Sequence, residues 1–202
     1  MIEEIEFISL IERLVRNALE ENMDQSVAHR YDHSKRVCKR AADLAQKIGI
    51  EDVDLEVLKI AALLHDIDQP YYDKENHVER SLQKAKQILL KVGYPQEKVK
   101  KVLEIIGEHS SEDERLPSSL EAKILFDADK LDGLGAVGIA RVFSFCGQKG
   151  KSCDEALRWY EGKIKKAAPM MQTEAGKNMA AAEMEFVRTF FEKYRNEAAR
   201  LK

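Results

Sequence analysis

Four of the five histidines in this chain stand where an apolar helical stripe begins or ends. His33 is followed at i+4, i+8, i+11 and i+15 by Val37, Ala41, Leu44 and Ile48, and His77 at the same intervals by Ser81, Ala85, Ile88 and Val92. His109 closes a stripe of Val102, Ile105 and Ile106. His65 lies above Leu58, Ala61 and Ala62 in KIAALLHDI, a segment apolar nearly all round. Residues at these spacings share one helix face, so the four imidazoles are predicted to point inward; His29 alone lacks such a stripe. Carboxylates repeat the anomaly. Asp66 follows His65 inside the apolar run, Asp129 shares a face with Ala122, Leu125 and Phe126, and Asp127 shares one with Leu120, Ile124 and Leu131. A buried ionised carboxylate is costly unless it is paired, hydrogen-bonded or metal-bound. Singly, such residues are ordinary hydrogen-bonded core histidines or capping aspartates. Together they satisfy one another around a cation, and a His/Asp mixture suits Mn, Fe, Ni or Zn better than Ca.

The elements that must carry these residues read as helices throughout. Apolar periodicity predicts helices over 3–22, with Ile8, Ile11, Val15 and Ala18 inward, and over 33–48, 53–67 and 76–92. Gly49 and Gly93 are helix stops, and Pro95 opens the next helix, which runs to about His109. Ser118 with Glu121 and Ser152 with Glu155 have the spacing of capping boxes. The first precedes LEAKILFDADKL; the second opens a helix to about Ala168, and a long helix follows over 173–200. Gly133, Gly135 and Gly138 mark a place where helices pack closely. Loops are expected at 67–76, 110–118 and 146–152, the first two at the rim of a pocket. Trp159, Tyr160, Phe186, Phe190 and Phe191 are assigned to core packing, while Tyr71 and Tyr72 are placed to stack on a base.

The chain has 202 residues, 44% of them hydrophobic and 34% charged, which excludes a disordered protein and suits one domain. The net charge of −3 gives no basic field for nucleic acid. Lys163, Lys165 and Lys166 look like a solvated helix face. No run of 18 apolar residues exists, so no membrane span is expected. The acidic, periodic N-terminus does not resemble a signal peptide. The three cysteines lack metal-like spacing and read as reduced thiols in a cytoplasmic protein.

His33, the His65–Asp66 doublet and Asp129, in order on successive helices, resemble the H…HD…D signature of the HD-domain phosphohydrolase superfamily. The flanks ALLHDI and DADKLD agree. The segments DADKLDGLGAVGIARVF and MMQTEAGKNMAAAEMEFVRTFFEKY resemble a group of small bacterial and archaeal HD hydrolases that includes nucleotide pyrophosphohydrolases. The resemblance spans about residues 25 to 196. It implies an all-α, HD-like helical bundle over 1–202, with a metal-site core at about 25–150 and a C-terminal helical extension at about 151–202. It also implies one divalent ion held by His33, His65, Asp66 and Asp129, manganese first, with Fe, Ni, Zn and Mg as alternatives. The activity implied is metal-dependent hydrolysis of a nucleotide or another small phosphate ester.

Roles follow from that resemblance. Asp66 binds the ion and helps orient the attacking water. Lys130 neutralises a phosphate or forms a surface ion pair, and Arg36 meets phosphate or solvent. Asp127 and Asp132 support a histidine tautomer or a lysine, or else make helix-packing hydrogen bonds. His77 and His109 line the substrate pocket or hold a second ion, as histidines on comparable helices do in some HD subgroups. One departure is clear: some HD nucleotidases carry a glutamate three residues after the doublet, and this chain has Gln69, with Asp68 as a substitute. The rival readings are a catalytically idle HD module that binds a nucleotide or signals through a partner, and a scaffold whose histidines only pack. Oligomeric state is not legible, since the N-terminal helix could cover its own chain or a twin.

Overall fold

A computed structural model describes residues 4–22, 24–69, 76–110 and 116–200. Tyr71 and Tyr72 lie outside the described residues. Within them the regular structure is helical: α1 (Glu4–Glu21), α2 (Tyr31–Ile48), α3 (Leu55–Leu64), α4 (His77–Lys91), α5 (Gln96–Gly107), α6 (Leu120–Asp132), α7 (Gly135–Gln148), α8 (Cys153–Ala167) and α9 (Glu174–Ala199), with short 3-10 turns at Val27–His29, Ile50–Asp52 and Ala168–Met170. No described helix is long and apolar enough to cross a membrane.

α3 is the central helix. Its residues Val57, Leu58, Ile60, Ala61, Ala62, Leu63 and Leu64 are all buried, and α1, α2, α5 and α6 pack around it. α1 therefore covers its own chain. Its inward stripe is Phe7, Ile11, Val15 and Leu19, strictly i, i+4, whereas Ala18 is exposed. The larger side chains take the buried face, because burying Leu19 removes more apolar area from water than burying Ala18. The same correction applies to α4, whose buried stripe is His77, Ser81, Ala85 and Leu89, with Ile88 and Val92 only half-buried.

Two features fix the ends of the helices that carry the histidines and aspartates. α3 stops at Leu64, so His65 and Asp66 sit in the turn that follows it rather than within a helix running to 67. The α6 cap is Ser119, whose Oγ accepts the Ala122 N–H at 3.0 Å. Ser118 instead donates to Glu108 at 2.8 Å, and Glu121 accepts the Asp54 N–H at 3.0 Å, which ties the start of α6 to the start of α3. The Ser152–Glu155 capping box forms as expected, with the Ser152 N–H donating to Glu155 at 2.9 Å and the Glu155 N–H to Ser152 at 3.3 Å.

α7, α8 and α9 form a layer against α6 and the turn at Val27–His29. The turn between α6 and α7 is tight: a Cβ at Gly138 would lie 2.3 Å from the Gly133 carbonyl. Arg141 on α7 donates Nε and Nη2 to the Ala28 carbonyl at 3.0 and 2.7 Å, anchoring that turn. Tyr160 and Phe191 are buried as expected; Trp159 and Phe186 are not, at 36% and 49% exposure. Cys38, Cys146 and Cys153 are free thiols.

Candidate metal centre

Three chain segments bring four side chains to one point. His33 lies in the first turn of α2, His65 and Asp66 at the end of α3, and Asp129 in the last turn of α6. Their ligand-type atoms all fall within 4.8 Å of one another. His33 Nε2 is 3.6 Å from Asp66 Oδ2 and 3.5 Å from Asp129 Oδ1; His65 Nε2 is 3.5 and 3.8 Å from the same two atoms. These separations exceed ordinary hydrogen bonds, and both Nε2 atoms are buried without a partner. Their lone pairs are free. The Ala62 carbonyl can only accept, so His65 Nδ1, 2.8 Å away, carries a proton, and in the neutral ring Nε2 is the atom left to bind an ion. Asp132 does the same for His33, accepting from Nδ1 at 2.8 Å. Two unpartnered imidazole nitrogens facing two carboxylates across a gap form a donor set suited to a borderline divalent ion.

Charge supports this arrangement. Burial disfavours an ionised Asp66, but His65, His109 and His33 outweigh it and hold its pKa well below the usual range. Asp129 is likewise depressed against burial, through Lys130, His65 and His33. Burial pushes His65 down, but Asp66 and Asp129 prevail and its pKa is raised.

The remaining predicted residues divide. Asp132 is fully buried and also accepts from Arg36 Nε at 2.8 Å and pairs with Arg141 Nη1 at 2.9 Å. Arg36 is therefore held by Asp132 and Asp32. Asp127 does not reach the cluster. Its oxygens accept the Gln172 and Thr173 N–H groups at 2.7 and 2.8 Å and the Thr173 hydroxyl at 2.7 Å, which locks the start of α9 to α6. Asp127 and Asp129 are two apart on a helix and so point to nearly opposite sides. Lys130 donates to Asp129 Oδ2 at 2.7 Å and to the His109 carbonyl at 3.4 Å.

His109 and His77 form a second group with Asp66, again with ligand-type atoms within 4.8 Å. His109 Nδ1 donates to the Ile106 carbonyl at 2.6 Å, which turns Nε2 toward Asp66 Oδ1 at 3.3 Å. Two acceptors would face each other there unless His109 is protonated or a cation lies between them.

A solvent-open cavity of about 610 Å³ lies over this floor, lined by Asp66, Asp129, His77, His109, Ser110, Gln69, His29, Lys130, Gly133, Arg141 and Lys163. Gln69 does face the cavity, and its Oε1 is buried without a partner. Asp68 is not among the lining residues; it pairs with Lys84 at 2.8 Å and Arg80 at 3.6 Å.

The sequence reading missed three lining residues. His29 points inward after all, with Nε2 3.9 Å from Asp66 Oδ2 and its ring 5.3 Å from that of His33. Its only signal was the four-residue spacing from His33. Burial, with His33, Arg141 and Lys163, lowers its pKa well below the usual value despite Asp66. Arg141 gave no signal, because α7 brings it back to a turn 113 residues away. Lys163 was assigned to a solvated face, but it borders this cavity.

Residues 30–134 match the HD domain family. The protein YpgQ of Bacillus subtilis (strain 168) is 35% identical over 176 residues, 83% of each chain. The crystal structure of YpgQ in complex with ADP superposes with a TM-score of 0.76 at 28% identity and covers 96% of both chains. An HD-superfamily hydrolase from Bacillus thuringiensis gives 0.74 at 29% identity, covering 98% of this chain and 99% of that one. A predicted HD superfamily hydrolase from an uncultured Thermotogales bacterium gives 0.65 at 32% identity, covering 93% and 90%.

Proposed function

The chain belongs to the HD domain family and has the fold of its hydrolases, and on that premise we propose that it is a divalent-metal-dependent phosphohydrolase acting on a nucleotide. The observation that carries the reading is the pair of buried, unpartnered Nε2 atoms of His33 and His65, set against Asp66 and Asp129 beneath a cation-lined cavity. The ADP bound to YpgQ supports a nucleotide as the ligand.

His33, His65, Asp66 and Asp129 would hold the ion, with manganese as our assignment. When bound, such an ion acidifies water and draws charge from a phosphoryl oxygen. The surrounding side chains supply the rest. Lys130, Arg141 and Lys163, which line the cavity, would offset the charge of the phosphates. Gln69, through its free Oε1, can accept a hydrogen bond from the attacking water but cannot take its proton. Asp66 Oδ1 can orient that water, and His109 Nε2, 3.3 Å from Asp66 Oδ1, is the adjacent nitrogen that can take the proton and carry it toward the leaving group. The Asp66–His77–His109 group favours a second reading of the same residues, as the site of a second ion sharing Asp66.

The test is to strip the purified protein of metal, add back Mn²⁺, and assay nucleoside mono-, di- and triphosphates with product identification. Metal-dependent release of phosphate or pyrophosphate is expected. Nucleotide binding without turnover in any member of the panel would replace the enzyme with a binding module.

A further inference from the structure

A second, mostly apolar groove adjoins the histidine-lined cavity and shares a wall with it. The groove is shallow and open to solvent, and the unfilled space along it, solvent included, is about 360 Å³. Val142 and Phe145 of α7 and Trp159 of α8 form its apolar side. His29, Gly133, Arg141 and Lys163 border both spaces. Trp159 is the single tryptophan of the chain. It remains 36% exposed, with its ring 5.7 Å from that of Phe145 and tilted by 31°. Lys163 Nζ lies 5.4 Å above the same ring.

We propose that this groove is the base-binding subsite, with the heterocycle of the nucleotide against Trp159 and its phosphates passing Lys163 and Arg141 toward Asp129. The inference rests on the nucleotide reading above. The polarity of the two spaces runs in the right order for such a ligand. An aromatic, apolar end accepts a flat heterocycle, two cations stand at the junction, and the carboxylate–histidine floor lies beyond them. Lys163 links the two ends, since it faces the indole and borders the phosphate cavity. Main-chain acceptors of the groove are already engaged: the Gly133 carbonyl accepts from Tyr160 Oη at 3.0 Å, and the Ala28 carbonyl accepts from Arg141. With those two acceptors occupied, contact with Val142, Phe145 and Trp159 outweighs base-edge hydrogen bonding, for which His29 Nδ1, buried without a partner, is left. All four bases should be accepted within roughly tenfold of one another, purines ahead, as expected of a pocket that selects by apolar contact.

Trp159 reports on this directly through its own fluorescence. ADP titrated in the presence of Mg²⁺ should quench or shift the emission. Inorganic pyrophosphate should compete with ADP and, acting on the indole only through Lys163, should change the emission less than ADP does. Trp159→Ala should weaken ADP binding by roughly 10- to 100-fold, the range expected for loss of one aromatic–base stack, and should not weaken pyrophosphate binding. Trp159→Phe keeps a ring and should retain most of the ADP affinity; circular dichroism on both variants checks that the helices remain. If calorimetry shows ADP binding while the emission is unaltered and Trp159→Ala loses nothing, the subsite is wrong. Emission that responds to ADP when no nucleotide is hydrolysed would sustain the subsite and remove the enzymatic reading. Hydrolysis with a silent Trp159 would do the reverse, and failure to bind ADP at all would overturn both.

Discussion

Asp132 holds His33 and Arg141 through one oxygen: Oδ2 accepts from His33 Nδ1 at 2.8 Å and meets Arg141 Nη1 at 2.9 Å. A single buried carboxylate thus orients a candidate metal ligand and a cation that lines the cavity. Burial opposes its ionisation, but His33, Arg36 and Arg141 outweigh that and depress its pKa. Asp132→Asn removes the charge and leaves Arg36, Arg40 and Arg141 around a neutral amide. We expect metal affinity to fall roughly 10- to 100-fold and stability to fall on the order of 3 kcal/mol. Metal titration and thermal unfolding measure the two effects; unchanged affinity would mean that His33 does not depend on this contact.

His65→Ala and Asp66→Ala should each abolish tight metal binding and activity, because each removes a group from the meeting point at the end of α3. The helical fold should survive, since the core around α3 is apolar and continuous without an ion. Wild-type protein should gain about 2.7 kcal/mol when free metal is a hundred times its Kd, through binding to the folded state alone. Neither variant should show that gain. Metal analysis and melting curves with and without chelator check this, and full activity in either variant would reject the site.

Asp129→Asn and Asp127→Asn should fail in different ways. The first should lose metal affinity and activity while melting near wild type. The second should keep its metal but lose about 1–3 kcal/mol of stability, because an amide nitrogen cannot accept the Thr173 N–H and hydroxyl that now converge on Asp127 Oδ2. α9 would then be held less firmly at its start. A larger metal defect in Asp127→Asn would reverse the assignment of the two faces of α6.

These contrasts mark what was legible in the sequence. The inward faces of His33, His65, His77 and His109 followed from apolar neighbours three and four residues away, a local relation that survives folding. The Ser152–Glu155 cap was readable for the same reason. Asp127 was equally buried in the pattern, but periodicity does not say which neighbour fills the space; Thr173 comes from another helix 46 residues on. His29 sits in a 3-10 turn with no stripe to read, and long-range contacts hold it there. Gln25 Nε2 donates both to the His29 carbonyl at 2.7 Å and to the Asp66 carbonyl at 3.2 Å. Arg36 looked free because Asp132 is 96 residues away in the chain.

The raised pKa of His65 gives the metal-free protein a pH signature. Its folded value lies above the ordinary 6.5 because Asp66 and Asp129 prevail over burial. A raised pKa stabilises the fold below the unfolded value, and that stability is lost as pH rises through the folded value. Metal-free protein should therefore melt at a progressively lower temperature as pH climbs above about 6.5. Metal binding needs His65 neutral, so near pH 6.5 it should release a proton, and affinity should rise with pH across the same window. Calorimetry in buffers of different ionisation enthalpy counts the proton. An affinity independent of pH from about 6 to 9 would show that His65 is already neutral.

His77 and His109 decide between one ion and two. Both lie within ligand reach of Asp66, yet His109 already has Nδ1 fixed on the Ile106 carbonyl and Nε2 turned to Asp66 Oδ1 at 3.3 Å. If a protonated His109 bridges that gap, His109→Ala and His77→Ala should each leave one tightly bound ion per chain. Turnover should then fall roughly 10- to 1000-fold, through lost proton transfer and phosphate positioning. If a second cation lies there instead, the wild type should bind two ions and either substitution should lose one, which would make two-metal hydrolysis the better mechanism. Metal titration of the three proteins separates these outcomes before any substrate is chosen. Unchanged metal content and unchanged turnover in both variants would return the two histidines to structural roles and leave His33, His65, Asp66 and Asp129 as the whole of the centre.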